Sequence, residues 1–271
     1  MKYQINSFDP IIFGPHVTIT KSEDELINIL LEKGKEIRSP EFDFRHSLAG
    51  KIKEQYNFNN YREWFTPLFR THLEEYFNTL PNSHSRHMME NSLRPVEWSV
   101  SNMWINYQGP KEYNPPHSHQ GDISFIIYVD IPKEIYDERV ENLGTHRNFS
   151  TTVVQGDYRR TPPGNLVFEY GESVMSNFLS FTNVSYQISP ETGVILMFPS
   201  WLKHHVFAFE SNVKRISVSG NINLRFERTS EIFDAASKKL NNEKRNKLKE
   251  WSGADPDTKF EKPKMENDDG Y

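Results

Sequence analysis

The chain has 271 residues, a net charge of −5 and no cysteine. That length can bury a full core in one domain, and the missing cysteine excludes disulfides, thiolate metal sites and a cysteine nucleophile together. Acids and bases are mixed with no basic block, which disfavours nucleic acid or an anionic membrane as partner.

In chain order, residues 1–20 alternate weakly around Pro10 and Pro15 and read as an edge strand or loop. The start, Met1 to Asn6, has no signal-peptide core. No apolar run reaches the ~18 residues of a membrane-crossing helix. A cytoplasmic protein is therefore expected. Ser22 to about Gly34 predicts a helix: Ser22 and Glu25 form a capping box, and Leu26, Ile27, Leu30 and Leu31 share a face. A second helix is predicted over 60–79, where Trp64, Phe65, Leu68, Phe69, Leu73 and Phe77 recur at helical spacing.

From residue 94 the period changes to two. Val96, Trp98, Val100, Asn102, Trp104 and Asn106 share a face of a predicted strand. Ile123 to Ile131 is a near-continuous apolar run, as in a strand buried on both faces. Residues 133–163 are polar and read as a long insertion, the expected seat of specificity. Further short strands are predicted at 166–168, 185–188, 194–198, 205–209 and 215–224. This spacing gives a mainly β fold, a barrel or jelly roll with flanking helices. The expected organisation is one domain over 1–228, with helices in 1–93 and the jelly-roll core in 94–228. A charged helix from Ile232 to Trp251 and a polar tail fill 229–271.

His117 and His119 are two apart, which on a strand puts both on one face. His204 or His205 can supply a third imidazole from a distant strand. Neutral imidazoles and a carboxylate with open coordination positions suit Fe(II) oxygen chemistry. Three ligand sets are open: three histidines (His117, His119, His204); His119, Asp122 and His204 through a bulge; or two histidines with water or substrate. Alternatively, Asp122 is a turn residue capping the next strand. Arg215 and Ser217 are also two apart, so a guanidinium fork and a hydroxyl face one way, which suits carboxylate capture. The alternative is a buried Arg paired with an internal acid, Asp122 or Glu169.

These residues carry a resemblance. Trp104-Ile105-Asn106-Tyr107, Pro116-His117-Ser118-His119, the run from Gly193 to Leu202 through Phe198-Pro199-Ser200-Trp201, His204, Val206, Arg215-Ile216-Ser217 and Asn221 resemble the 2-oxoglutarate (2OG) and Fe(II)-dependent oxygenases. The likeness is to members from bacteria and from phages of marine cyanobacteria, and it covers roughly residues 94–224. It implies a double-stranded β-helix, a distorted, cupin-like jelly roll. It implies Fe(II) held by the His117 and His204 segments, and 2OG as cosubstrate with its far carboxylate on Arg215 and Ser217. It implies a hydroxylase coupled to decarboxylation of 2OG to succinate, with Trp104, Phe125, Tyr128 and Phe198 lining the pocket; Trp and Tyr also fill barrel cores, and for Trp104 and Phe198 core packing is the favoured alternative. The departure is the missing His-x-Asp/Glu. The competing expectations are a jelly-roll binding module without iron, and a cupin-like three-His dioxygenase that does not use 2OG. The expected substrate is a small molecule, peptide or protein.

Overall fold

The computed structural model describes residues 14–22, 24–80, 93–145, 163–171 and 185–228. The segments expected to be a charged helix and a tail, 229–271, lie outside the described residues. The chain divides into two compact units, Met1–Arg86 with Pro95–Arg225, and His87–Arg94 with Phe226–Tyr271. Of the second, only 93–94 and 226–228 are described, all in strands.

Ten strands and three helices carry the described part. They run β1 (Thr18–Lys21), α1 (Asp24–Glu36), β2 (Gln55–Asn57), α2 (Tyr61–Asn78), β3 (Leu93–Gln108), β4 (Asn114–His117), β5 (Ile123–Asp130), α3 (Lys133–Thr145), β6 (Leu166–Glu169), β7 (Ser185–Ile188), β8 (Val194–Pro199), β9 (Lys203–Val206) and β10 (Arg215–Arg228). One sheet has the order β1-β8-β5-β10-β3-β2 and the other β4-β9-β6-β7. With β1 and β2 set aside, eight strands remain, four in each sheet, in the strand order of a jelly roll. This is the double-stranded β-helix, with the helices outside it.

The two-residue period of the strands sorts their side chains between two cores. Odd residues of β5, Phe125 and Ile127, join Leu26, Ile27, Leu30, Phe65, Phe69 and Leu73 of α1 and α2 in one apolar cluster. Even residues, Ile126 and Tyr128, join Leu196, Phe198, Leu166, Phe168 and Val206 in a second cluster shared by the two sheets. Every β5 residue from Ile123 to Val129 is buried, as the continuous apolar run requires. Phe125 stacks on Phe65 and Phe69, with ring centroids 5.4 and 4.7 Å apart. Each such ring contributes roughly 1.5–3 kcal/mol by burial, so this stack is a principal tie between α2 and the sheet. At Gly34 on α1, a Cβ would lie 2.5 Å from Ile105 Cδ1, so glycine lets the helix approach β3.

The structure departs from the sequence reading in three places. Val100 joins the helix-side cluster together with Met103 and Ile105, so the face predicted for 96–106 switches between Val100 and Met103. The last short strand before β10 runs over Lys203–Val206 instead of 205–209. The polar insertion begins with a helix, α3, whose one fully buried apolar residue among those described is Ile135. A single buried apolar side chain gives no helical period to read. Its first turn is tied by an exposed Lys133–Asp137 pair at 2.6 Å. Glu138 on its next turn accepts the backbone N–H groups of Glu210 and Ser211, at 2.9 Å each. Among the described residues no helix is long and apolar enough to cross a membrane.

Candidate metal centre and anion pocket

His117 ends β4 and His204 sits in β9, and the two are direct partners in the antiparallel register. Their ring centroids are 4.4 Å apart. His119 lies just beyond β4, where its N–H donates to Ser200 O at 2.9 Å. The turn that follows needs Gly121 at φ 103°, a conformation that glycine adopts without strain. One ring nitrogen from each of His117, His119 and His204 lies within 4.8 Å of the others. His205 points to the other face of β9, where its Nδ1 is 3.3 Å from Glu169 Oε1.

Asp122 is the turn residue, not a member of the cluster. Its exposed carboxylate accepts the N–H of Leu224 at 2.7 Å, on the far side of the turn. The three imidazoles are therefore the donor set that the fold brings together.

That set fits a divalent metal. His117 Nδ1 is 2.7 Å from Pro115 O and His204 Nδ1 is 2.9 Å from Leu202 O. A carbonyl only accepts, so each Nδ1 carries the proton and each Nε2 presents a lone pair. Burial disfavours the charged form of all three rings, and neighbouring imidazoles add to it for two of them. His117 is lowered from its ordinary value, His119 to about 4 and His204 to about 3. His119 Nε2 and His204 Nε2 lie 3.2 Å apart. Two donors each ~2.1 Å from one metal and at right angles would be ~3.0 Å apart.

The histidines border a cavity of about 130 Å³. Arg215 and Ser217 line the same cavity. Arg215 is 3 % exposed, and its one described hydrogen bond runs from Nη1 to Gly164 O. Its Nε has no partner, and neither has the Tyr128 hydroxyl beneath it. The guanidinium lies 5.4 Å from the Tyr128 ring centroid. Among the described residues no carboxylate pairs with Arg215. Both acids considered as partners are used elsewhere, Asp122 by Leu224 and Glu169 beside His205. Burial lowers the pKa of Arg215, but a guanidinium stays protonated. A buried cation without a counter-charge costs several kcal/mol, a cost that an anion in the cavity would offset.

Trp104 and Phe198 both line the cavity and flank the imidazoles, Trp104 at 5.5 Å from His119 and Phe198 at 4.9 Å from His204. Phe125 borders the cavity, but its ring packs on the helices. Tyr128 lies under Arg215 and is not among the lining residues. None of the described residues of the 133–163 insertion lines the cavity either. The wall comes instead from Ser47, Leu48, Ala49, Ile52 and Gln55. Gln55 Nε2 donates to Asn106 Oδ1 at 2.8 Å, a buried amide pair beside Ser217. No sequence signal marked this wall, because short irregular segments carry no period.

Residues 102–221, the span holding the three imidazoles, Arg215 and Ser217, match a family described as "Putative 2OG-Fe(II) oxygenase". This core resembles the 2OG-Fe(II) oxygenases. No curated protein matches the chain. Among solved structures, the chain is similar to a Pseudomonas putida prolyl-4-hydroxylase (10 % identity, TM-score 0.44, 78 % of this chain and 94 % of that one). It is similar to a viral collagen prolyl hydroxylase from Paramecium bursaria Chlorella virus-1 in a 2OG complex (12 %, 0.45, 77 % and 96 %). A third is a 2OG-Fe(II) oxygenase family oxidoreductase from Burkholderia pseudomallei (10 %, 0.40, 77 % and 84 %).

Proposed function

We propose that this oxygenase hydroxylates its substrate with His117, His119 and His204 holding Fe(II), and with Arg215 and Ser217 binding the far carboxylate of 2OG. The observation that carries this reading is the unpaired, buried Arg215 in the same cavity as three neutral imidazoles. When bound, Fe(II) and 2OG supply the activation of O2 and the oxidation of substrate, with 2OG leaving as succinate and CO2.

The chain's own groups then have defined tasks. The Nδ1 bonds to Pro115 O and Leu202 O hold the tautomers that leave Nε2 free. Arg215 offers its unused Nε–H, and Ser217 its hydroxyl, to a carboxylate. Phe198, Trp104 and Val206 exclude water around the reacting end. The all-imidazole donor set also favours a second reading, a three-His dioxygenase without 2OG. That reading leaves Arg215 without a counter-ion. The absence of cysteine supports placing the enzyme in a reducing cytoplasm, that of the host if a phage encodes it.

The test is thermal melting of metal-stripped protein with Mn(II), with and without 2OG, followed by succinate release against a panel of small molecules and peptides. A rise in Tm with 2OG that requires Mn(II) and Arg215 supports the reading. Indifference to 2OG with retained metal binding favours the three-His alternative.

A further inference from the structure

Ser200 belongs to the Phe-Pro-Ser-Trp run and Asn221 to β10, the strand that begins at Arg215; the side chain of neither has had a part in the site described so far. Both are buried, Ser200 at 0 % and Asn221 at 4 % exposure. They are joined through Ser124, itself 2 % exposed. Ser124 Oγ is 2.7 Å from Asn221 Oδ1 and 2.9 Å from Ser200 Oγ. One hydroxyl has one proton, so Ser124 donates to the Asn221 carbonyl and Ser200 donates to Ser124.

The backbone of Ser200 faces the other way. Its N–H donates to Asp122 O at 3.1 Å and its C=O accepts the His119 N–H at 2.9 Å. Ser200 thus spans the two ends of the turn that carries His119. His119 needs such a clamp because it lies outside β4, unlike His117, and outside β9, unlike His204. Asn221 and Ser124 are direct partners in the β10–β5 register. Ser124 is in turn opposite Phe198 of β8. The relay therefore anchors the turn to three central strands.

We infer that Ser200, held by Ser124 and Asn221, is a positioning residue that sets the place of the His119 ring among the three imidazoles. The inference rests on the metal reading proposed above. The groups that orient ligands typically change metal affinity ~10–100-fold when removed.

The experiment is a double-mutant cycle on metal-stripped full chain, titrated with Mn(II) for affinity and with Co(II) for its visible absorption spectrum. Ser200→Ala is expected to bind Mn(II) ~10-fold more weakly and to shift the Co(II) bands, with Ser124→Ala acting in the same direction. In the His119→Ala background, Ser200→Ala should add nearly nothing, because the group it positions is gone. Melting of the metal-free variants checks that each is folded. Should Ser200→Ala not fold, Ser124→Ala carries the same cycle. Unchanged affinity and spectrum in the single variants, or full additivity with His119→Ala, overturns the inference while leaving the metal site standing. A wild type that takes up neither metal overturns the metal reading and this inference with it.

Discussion

His117 and His204 are register partners across β4 and β9, so the two imidazoles are set beside one another by backbone pairing and not by a loop. One is also locked by Pro115 O and the other by Leu202 O. Such a pair is preorganised before any metal arrives.

It follows that His204→Ala will lose more Mn(II) affinity than the ~10–100-fold typical of removing an orienting partner, because a donor itself is lost. Calorimetry on chelator-stripped protein reads this directly. Affinity within a few-fold of wild type would remove His204 from the ligand set. His205→Ala, on the opposite face of β9, is the matched control and is expected to bind as wild type does.

Asp122→Ala separates the turn role from ligation. Its carboxylate bonds Leu224 N–H on the exposed side of the turn. The expected outcome is a loss of roughly 1 kcal/mol in denaturant stability with metal affinity nearly unchanged. Abolished metal binding in a folded variant would restore the carboxylate as a ligand.

Arg215→Met should stabilise the metal-free, 2OG-free protein. The buried guanidinium has no counter-charge there, and an apolar side chain of similar length removes that penalty at the cost of one bond to Gly164 O. A gain of about 1 kcal/mol or more is expected from urea unfolding. The same variant should lose the 2OG-dependent rise in Tm, and Lys at this position should restore only part of it. A strongly destabilised Arg215→Met would mean that the residue serves the fold.

Glu138→Ala should destabilise the protein by about 1–3 kcal/mol, because two backbone N–H groups lose a charged acceptor. The cleaner readout is 2OG affinity. The Glu210–Ser211 segment lies shortly before Arg215, so a weakened 2OG response with intact Mn(II) binding is expected. No change in either would show that α3 is dispensable for the pocket.

The sequence revealed the jelly roll through period. Strands β5 and β8 are continuous apolar runs, and α2 repeats its aromatics at helical spacing. The pairs His117/His119 and Arg215/Ser217 were legible because a two-residue step on a strand is a statement about direction. Whether Asp122 was a ligand or a cap was not legible, since the answer depends on which way one turn faces and on the positive φ of Gly121. The pairing of Arg215 was equally hidden: Glu169 and Asp122 are plausible partners by composition, and only the fold shows both occupied elsewhere. Helix α3 escaped notice because only one described apolar residue is fully buried, and its tie to the 210–211 segment runs through Glu138 to backbone N–H groups.

The segment between α1 and α2 has a consequence for the minimal enzyme. Gln55–Asn57 pairs with β3, while Lys51 donates its N–H to Tyr113 O beside β4. The stretch from Ser47 to Gln55 therefore crosses from the margin of one sheet to the margin of the other and supplies one side of the cavity. A chain begun at β3 would keep every imidazole, Arg215 and Ser217, yet its reaction chamber would be breached along that side. Bulk water would reach the Arg215 end, where 2OG is proposed to bind, and its high dielectric would weaken the attraction Arg215 exerts. Metal uptake without 2OG retention is the signature expected of such a fragment, so the Ser47–Gln55 segment belongs to the wall of the proposed site as much as the barrel does.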